Sequence, residues 1–178
     1  MKRTYGAIAF ALLTGLVLLL SLSIPVQPVF AQQNFGTNWG ANFFNSTNLT
    51  DNFVTTVTYP NGISANWGAG PPQDAAGQAI PGMNSDNWSA RFTTQENIAP
   101  GTYEFTVVAD DGARLIINNT PIFDNFADQG QATYTATVQI TSGVTQIAVE
   151  YVDYTGIAVL QIFWTPAGTP QPTGTPVP

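Results

Sequence analysis

The feature that most constrains the fold of this chain is a strict alternation of apolar and polar side chains in its second half. In ATYTATVQI (132–140), Tyr134, Val138 and Ile140 lie on one face, whereas threonine and glutamine occupy the other. Successive side chains of a β-strand point to opposite faces, so this two-residue period predicts a half-buried strand.

Five further stretches show a strand-like pattern, and turn signals separate them. Glycines, some of them after proline or aspartate, stand at positions 101, 112, 143 and 156. Many short strands at regular spacing predict an all-β fold, an antiparallel β-sandwich or barrel. Segment 68–86 has no period and is expected to be a long excursion between strands. The five stretches are NWSARF (87–92), TYEFTVVA (102–109), RLIIN (114–118), VTQIAVEY (144–151) and AVLQIFW (158–164).

The N-terminal segment 1–31 is interpreted as a cleaved signal peptide. Lys2 and Arg3 precede an uncharged run from Gly6 to Ile24, and the stretch VFA ends at Ala31. Small residues at these positions are what signal peptidase favours. An uncleaved signal anchor is the alternative, since the run is just long enough to span a bilayer, and it would be the chain's only expected contact with a membrane. We therefore expect an exported protein, secreted or held at the cell surface.

The C-terminal segment 165–178, TPAGTPQPTGTPVP, consists almost entirely of threonine, proline and glycine. Such a composition favours extended conformations and cannot bury a core, so it predicts a linker or a tethering stalk. A disordered tail without a role is the alternative. Between the two ends we expect a short lead-in at 32–37 and one folded domain at 38–164.

Charge and residue types exclude several classes of function. The chain has no cysteine and no histidine, which removes thiolate metal sites and Ser-His-Asp or Cys-His catalysis. All eleven acidic residues follow residue 31, where Arg91 and Arg114 are the only cationic side chains. This part of the chain should repel nucleic acid and anionic membranes. It is suited to a hard cation such as calcium, which takes oxygen ligands.

Two adjacent aspartates interrupt the stretch FTVVADDGARLIIN (105–118), which we expect to be a β-hairpin with Asp110, Asp111 and Gly112 at its tip. Neighbouring carboxylates repel each other, and a divalent cation between them would remove that repulsion. The alternative is a plain turn, because Asp-Gly is a favoured hairpin dipeptide and Asp110 could cap it.

The order of motifs resembles the anthrax protective-antigen fourteen-kilodalton domain family (PA-fourteen, or PA14). The resemblance covers roughly 38–164 and implies a β-barrel-like sandwich that serves as an accessory module in secreted glycosidases, adhesins, toxins and bacterial surface proteins. Any catalysis belongs to partner domains. The motifs that carry it, in order, are NWGANFFNSTNL, SANWGAG, SDNWSARFTT, APGTYEFTVVADDGARLIIN, PIFDNFADQG, TYTATVQI and ITSGVTQIAVEY followed by GIAVLQIFW.

The resemblance also implies a ligand set. In the carbohydrate-binding branch of the family, a pair of aspartates joined by a cis peptide chelates calcium, which in turn holds vicinal hydroxyls of a sugar. Asp110 and Asp111 match that pair. The loop VDYTGIA would complete the shell with the Asp153 side chain and the carbonyls of Thr155 and Ile157. Aspartate at 153 departs from the asparagine of the adhesins and adds negative charge.

Other polar and aromatic residues allow two interpretations each. Tyr154 could stack on a sugar face or pack against its own strands. The stretch FDNFADQ could line the rim of the ligand site or form a turn rich in aspartate and asparagine. We expect the tryptophans to pack in the core and the two arginines to pair with carboxylates across the sheet. The candidate rim residues are Asp124, Asn125, Asp128 and Gln129.

These features bear on three possible functions. The favoured one is a secreted, non-catalytic module that binds cell-surface or extracellular glycans with calcium. The second is a structural spacer or protein-interaction domain, in which Asp153 faces away from the aspartate pair. A glycosidase is disfavoured, because its two carboxylates must face each other across a cleft about 5–10 Å wide. No nucleic-acid partner is expected.

Overall fold

The computed structural model describes residues 32–141 and 143–168, so the segment interpreted as a signal peptide and most of the expected stalk lie outside the described residues. Within these ranges the chain forms β-strands and no helix, and thus no helix that is long and apolar enough to cross a membrane. The strands are β1 (Trp39–Phe44), β2 (Phe53–Tyr59), β3 (Ser64–Gly68), β4 (Trp88–Asn97), β5 (Gly101–Asp110), β6 (Gly112–Ile117), β7 (Thr120–Asn125), β8 (Ala132–Ile140), β9 (Val144–Asp153) and β10 (Ala158–Pro166).

The strands form two antiparallel sheets packed face to face. One sheet has the order β2-β1-β4-β9-β6-β7 and the other the order β3-β10-β5-β8. The prediction of an all-β antiparallel sandwich is confirmed. The lead-in also joins the second sheet, because the backbones of Asn34 and Trp164 exchange hydrogen bonds of 3.0 and 2.9 Å.

The expectation of a hairpin at 105–118 is wrong. β5 pairs with β8 and β10, whereas β6 pairs with β7 and β9 in the other sheet. Asp111 is therefore the link by which the chain crosses from one sheet to the other. Two strand-like stretches joined by a short turn signal look alike in sequence whether they pair or cross a corner, because strand partners are chosen by long-range contacts.

Aromatic side chains fill the space between the sheets. Trp88 packs against Trp67 and Tyr151, with ring centroids 5.4 and 5.2 Å apart, and Phe105 stacks on Trp164 at 5.5 Å. All four tryptophans are buried, as expected from the sequence, with at most 6% of their surface exposed. This core holds the ends of the strands in place, and the loops between those ends form the site.

The two arginines lie on the outer side of the six-stranded sheet. Arg91 and Arg114 both bind the buried carboxylate of Glu150, at 2.6 and 2.7 Å, which confirms the expected pairing across the sheet. Neighbouring strands β4, β9 and β6 supply the three side chains. Both arginines are thus engaged by a carboxylate on this face.

One end of the sandwich gathers the aspartates. β5, β7 and β9 end there, and β4, β6, β8 and β10 begin there. The excursion at 69–87 between β3 and β4 is confirmed as irregular chain, with an isolated bridge between Gln73 and Ala79. Its residue Ile80 enters the core, and its final residues return to the end of the sandwich where the aspartates lie.

Candidate functional site

The corner between the two sheets consists of Asp110, Asp111 and Gly112. The peptide bond between the two aspartates is cis, and the Tyr151 hydroxyl donates a hydrogen bond to the Asp110 carbonyl. A Cβ on Gly112 would lie 2.9 Å from the Phe126 Cα and 2.9 Å from Val152 Cγ1. Glycine is needed here because the loop after β7 passes directly over the backbone.

The Asp111 side chain connects two loops through hydrogen bonds. It is 2% exposed. Its Oδ2 accepts from the backbone N–H groups of Tyr154 and Thr155, at 2.7 and 3.4 Å. Its Oδ1 accepts from the Gln129 N–H at 3.1 Å. A carboxylate oxygen can accept more than one contact, so these bonds orient Asp111 and leave lone pairs for a ligand.

Asp153 is the unusual residue of the site. It is fully buried at the end of β9, opposite Trp88 of β4, and neither of its carboxylate oxygens has a hydrogen-bond partner among the described residues. Buried polar groups are normally paired, and an unpaired buried carboxylate is costly. Two buried acceptor oxygens without a donor are what a bound cation would satisfy.

The environment of Asp153 disfavours its charge. Burial, and after it the charges of Asp111, Asp86 and Asp110, raises its pKa to about 7. The nearby indole N–H of Trp88 lowers that pKa to a smaller extent, although it forms no hydrogen bond that meets normal geometry. Burial and then the charge of Asp111 likewise raise the pKa of Asp110. The charges of neighbouring acidic side chains at this end of the sandwich therefore disfavour the ionised forms of Asp110 and Asp153.

Carboxylates alone do not complete a metal site. Among the described residues, no group of three or more acidic side chains stands close enough together to hold a metal ion. Calcium takes six to eight oxygen ligands, and many calcium sites rely on backbone carbonyls. The loop at 154–157 is one possible source of such carbonyls, because its backbone N–H groups bind Asp111 directly.

A model of the PA14 domain family matches residues 41–173. This chain belongs to the PA14 domain family. The sequence resemblance to that family is thereby confirmed.

Three known proteins are similar to this chain over different shares of their own length. The anti-sigma-I factor RsgI3 of Acetivibrio thermocellus is 28% identical over 127 residues, which are 70% of this chain and 18% of that protein. A solved anti-sigma factor domain-containing protein is 21% identical with a TM-score of 0.65, covering 80% of this chain and 51% of its own. The PA14 sugar-binding domain of an RTX adhesin is 19% identical with a TM-score of 0.56, covering 72% of this chain and 89% of its own. This PA14 domain thus spans about half or less of the two anti-sigma factor proteins.

The structure places most of the sequence-predicted residues of this PA14 domain together. Asp110, Asp111 and Asp153 lie at the same end of the sandwich, near enough for their charges to interact, and Tyr154 is half-buried on the loop that follows Asp153. Thr155 and Ile157 are exposed on the same loop, and Ile157 shows 54% of its surface. Gln129 reaches the site through its backbone bond to Asp111.

The side chains of the candidate rim residues lie in three different surroundings. Asn125 and Gln129 both donate hydrogen bonds to the hydroxyl of Tyr134. Asp128 is exposed on the loop over Gly112. Asp124 instead forms an ion pair with Arg114, at 2.8 Å, on the outer side of the six-stranded sheet. The carboxylate of Asp124 therefore neutralises an arginine.

Sequence reasoning missed Asp86 at the end of the excursion. Its Oδ1 accepts a hydrogen bond from the Gly156 N–H at 2.9 Å, and its charge is among those that raise the pKa of Asp153. A local signal was present in the sequence SDNW, where an acidic residue stands just before a core tryptophan. That signal is weak, because only the pairing of β4 with β9 brings Asp86 to the loop after Asp153.

Proposed function

We propose that this PA14 domain is a non-catalytic, extracellular module that binds glycans through a calcium ion held at Asp110, Asp111 and Asp153. The observation that carries the proposal is the fully buried Asp153 carboxylate, whose two oxygens lack hydrogen-bond partners within the part of the chain that the structure describes and lie near two further aspartates. Evolution rarely retains an uncompensated buried charge, whereas a bound cation would compensate it.

The donor set fits calcium by its chemistry. It offers carboxylate oxygens and the exposed loop of Thr155 and Ile157 as a source of carbonyl oxygens, and calcium prefers such hard ligands. Softer metals would require histidine or cysteine, and the chain contains neither. When bound, calcium would supply an open positive centre for the vicinal hydroxyls of a sugar. The chain's own part is to hold the carboxylates and to turn the loop toward them.

Glycan is the favoured ligand class for two reasons. An RTX adhesin contains a PA14 domain described as sugar-binding, and its fold is shared with this chain. The surroundings of the site also offer amide and aromatic groups that suit sugars, among them Gln129 and the half-buried Tyr154. We therefore expect these residues to contact the ligand rather than the ion.

A catalytic role is disfavoured by the placement of the acids. Asp110 and Asp111 are adjacent at one corner, and three backbone N–H groups bind Asp111. A glycosidase needs two carboxyl groups that face each other across a substrate. In our proposal the domain is exported by segment 1–31 and tethered by segment 165–178, so that copies displayed together gain avidity.

Calcium binding is tested by isothermal titration and by thermal unfolding of the purified protein, first stripped with chelator. We expect saturable binding of one ion and a rise of several degrees in melting temperature. The double variant Asp110→Asn with Asp111→Asn should lose both effects. Asp51→Asn, which removes one exposed carboxylate of another loop, is the charge control and should retain them.

Glycan binding is tested next by a screen on immobilised glycans with calcium and with chelator. Retention that depends on calcium and is lost in the double variant supports the proposal. Calcium binding without any glycan would restrict the function to a calcium-stabilised module. If the wild-type protein binds no calcium, the proposal is refuted, and a structural spacer or protein-interaction domain becomes the better account.

A further inference from the structure

The loop at 154–157 is held from two sides by aspartates of different parts of the chain. On one side, Asp111 Oδ2 accepts from the N–H groups of Tyr154 and Thr155, at 2.7 and 3.4 Å. On the other side, Asp86 Oδ1 accepts from the Gly156 N–H at 2.9 Å. Consecutive backbone donors of the loop are thus directed to two separate carboxylates.

The end of the excursion also determines which carbonyls of this loop are free. The Asn87 N–H donates to the Tyr154 carbonyl at 3.1 Å, so that oxygen is directed toward the excursion. Gly156 adopts a φ of +96°, a backbone conformation that glycine reaches without strain. With Tyr154 already engaged, the carbonyls of Thr155, Gly156 and Ile157 remain as possible loop ligands, and Thr155 and Ile157 are the two that the family resemblance implies.

We propose that Asp86 is a positioning residue for the loop at 154–157. The hydrogen bond from the Gly156 N–H to Asp86 holds the Thr155–Ile157 backbone in the conformation that binds calcium. The inference rests on the proposed calcium function and assigns a role to the long excursion between β3 and β4. Residues behind the ligands of a metal site commonly change affinity by about 10–100-fold.

A carboxylate is well suited to this role. Its bond to a backbone N–H is charge-assisted and roughly twice as strong as a neutral bond. The Asp86 side chain reaches the loop from the excursion between β3 and β4, and its Oδ1 is bound to the Gly156 N–H. Asparagine at this position would keep an acceptor oxygen of the same shape and lose only the charge.

Two variants separate the hydrogen bond from the charge. Asp86→Ala removes both, whereas Asp86→Asn removes the charge alone. Asp74→Ala is the matched control, since Asp74 lies in the same excursion and accepts backbone N–H bonds from Ala76 and Gln78 within its own turn. Calcium affinity is measured by titration, and hydrogen exchange of the Gly156 amide is measured in chelator, where no ion contributes.

We expect Asp86→Ala to weaken calcium binding by about 10–100-fold and to speed exchange at Gly156. Asp86→Asn should recover affinity to within a few-fold of the wild type, and Asp74→Ala should bind normally. The inference is overturned if Asp86→Ala binds like the wild type, or if Asp86→Asn is as weak as Asp86→Ala. If the wild type itself binds no calcium, the proposed function fails with the metal part of the inference. Faster Gly156 exchange in Asp86→Ala would still support the loop-holding contact.

Discussion

Replacing Asp153 by asparagine should have opposite effects on the metal-free and the calcium-bound protein. The substitution keeps the shape of the side chain and removes its charge. In the metal-free protein the wild-type carboxylate is fully buried and has no hydrogen-bond partner among the described residues. The neutral amide should therefore stabilise the metal-free fold, although it removes a negatively charged ligand from the ion.

The size of the metal-free effect follows from the pKa of Asp153. Burial, together with the charges of Asp111, Asp86 and Asp110, raises that pKa from 3.8 to about 7, which corresponds to roughly 4 kcal/mol against the charged form at neutral pH. A buried amide without partners costs about 1–3 kcal/mol itself. The net stabilisation expected for Asp153→Asn at neutral pH is therefore about 2 kcal/mol, a rise of roughly 5–10 °C in melting temperature for a domain of this size.

In the presence of calcium, Asp153→Asn should gain less stability than the wild type does. Calcium at a hundred times its dissociation constant stabilises a fold by about 2.7 kcal/mol. Affinity depends on the number of charged ligands, so a variant that binds about tenfold more weakly gains only about 1.4 kcal/mol at the same concentration. The calcium-induced shift in melting temperature should fall to about half.

Both arms are measured by thermal and urea unfolding in chelator and in calcium. Glu104→Gln is the charge control, because Glu104 lies on β5 well away from the corner, about 20 Å from Asp110 at the usual rise per residue. The reasoning is refuted if Asp153→Asn destabilises the metal-free protein and leaves the calcium shift unchanged. That result would mean that the carboxylate has a partner in solution and takes no part in metal binding.

Three further outcomes are expected. The gain from Asp153→Asn in chelator should shrink as pH falls from about 7 toward 4. Because the folded-state pKa of Asp153 is raised, this carboxyl contributes stability to the wild-type protein that is fully present below about pH 4 and is lost as pH rises through about 7. Urea unfolding at several pH values checks this, and a constant gain would contradict it. Gly112→Ala should cost on the order of 1–3 kcal/mol, since its Cβ would lie 2.9 Å from the Phe126 backbone and 3.0 Å from the Ala127 nitrogen; a stability equal to that of the wild type would show that the loop yields without cost. Glu150→Ala should cost about 2 kcal/mol by leaving two arginines without their shared carboxylate; the loss should differ little between calcium and chelator, because Glu150 faces the outer side of its sheet.

Local patterns predicted much of the fold. The alternation in β8 appears in the structure as Tyr134 and Val138 on the half-buried side and threonines on the exposed side. The tryptophans were expected in the core and are found there. Such predictions succeed because the side-chain period of a strand is a property of a few consecutive residues.

Predictions that depended on partners distant in sequence were less accurate. The stretch around Asp110 and Asp111 was expected to be a hairpin and is a crossing between sheets. Asp124, for which the sequence allowed either the rim of the site or a turn, lies in β7 and pairs with Arg114. Asp86 was overlooked, although its carboxylate binds the loop after Asp153. In each case several acceptable partners existed, and the packing of the two sheets selected one.

The sequence by itself determined that this chain is a β-sandwich of the PA14 family with paired aspartates followed by a glycine, because strand periods, turn residues and ordered motifs are local properties. Only the tertiary structure decided that Asp153 is buried with no hydrogen-bond partner in residues 32–141 and 143–168 and that Asp86 reaches Gly156. Burial and convergence depend on how β4, β9 and the excursion pack together. Those contacts join residues that lie far apart along the chain, and their energies are collective rather than local.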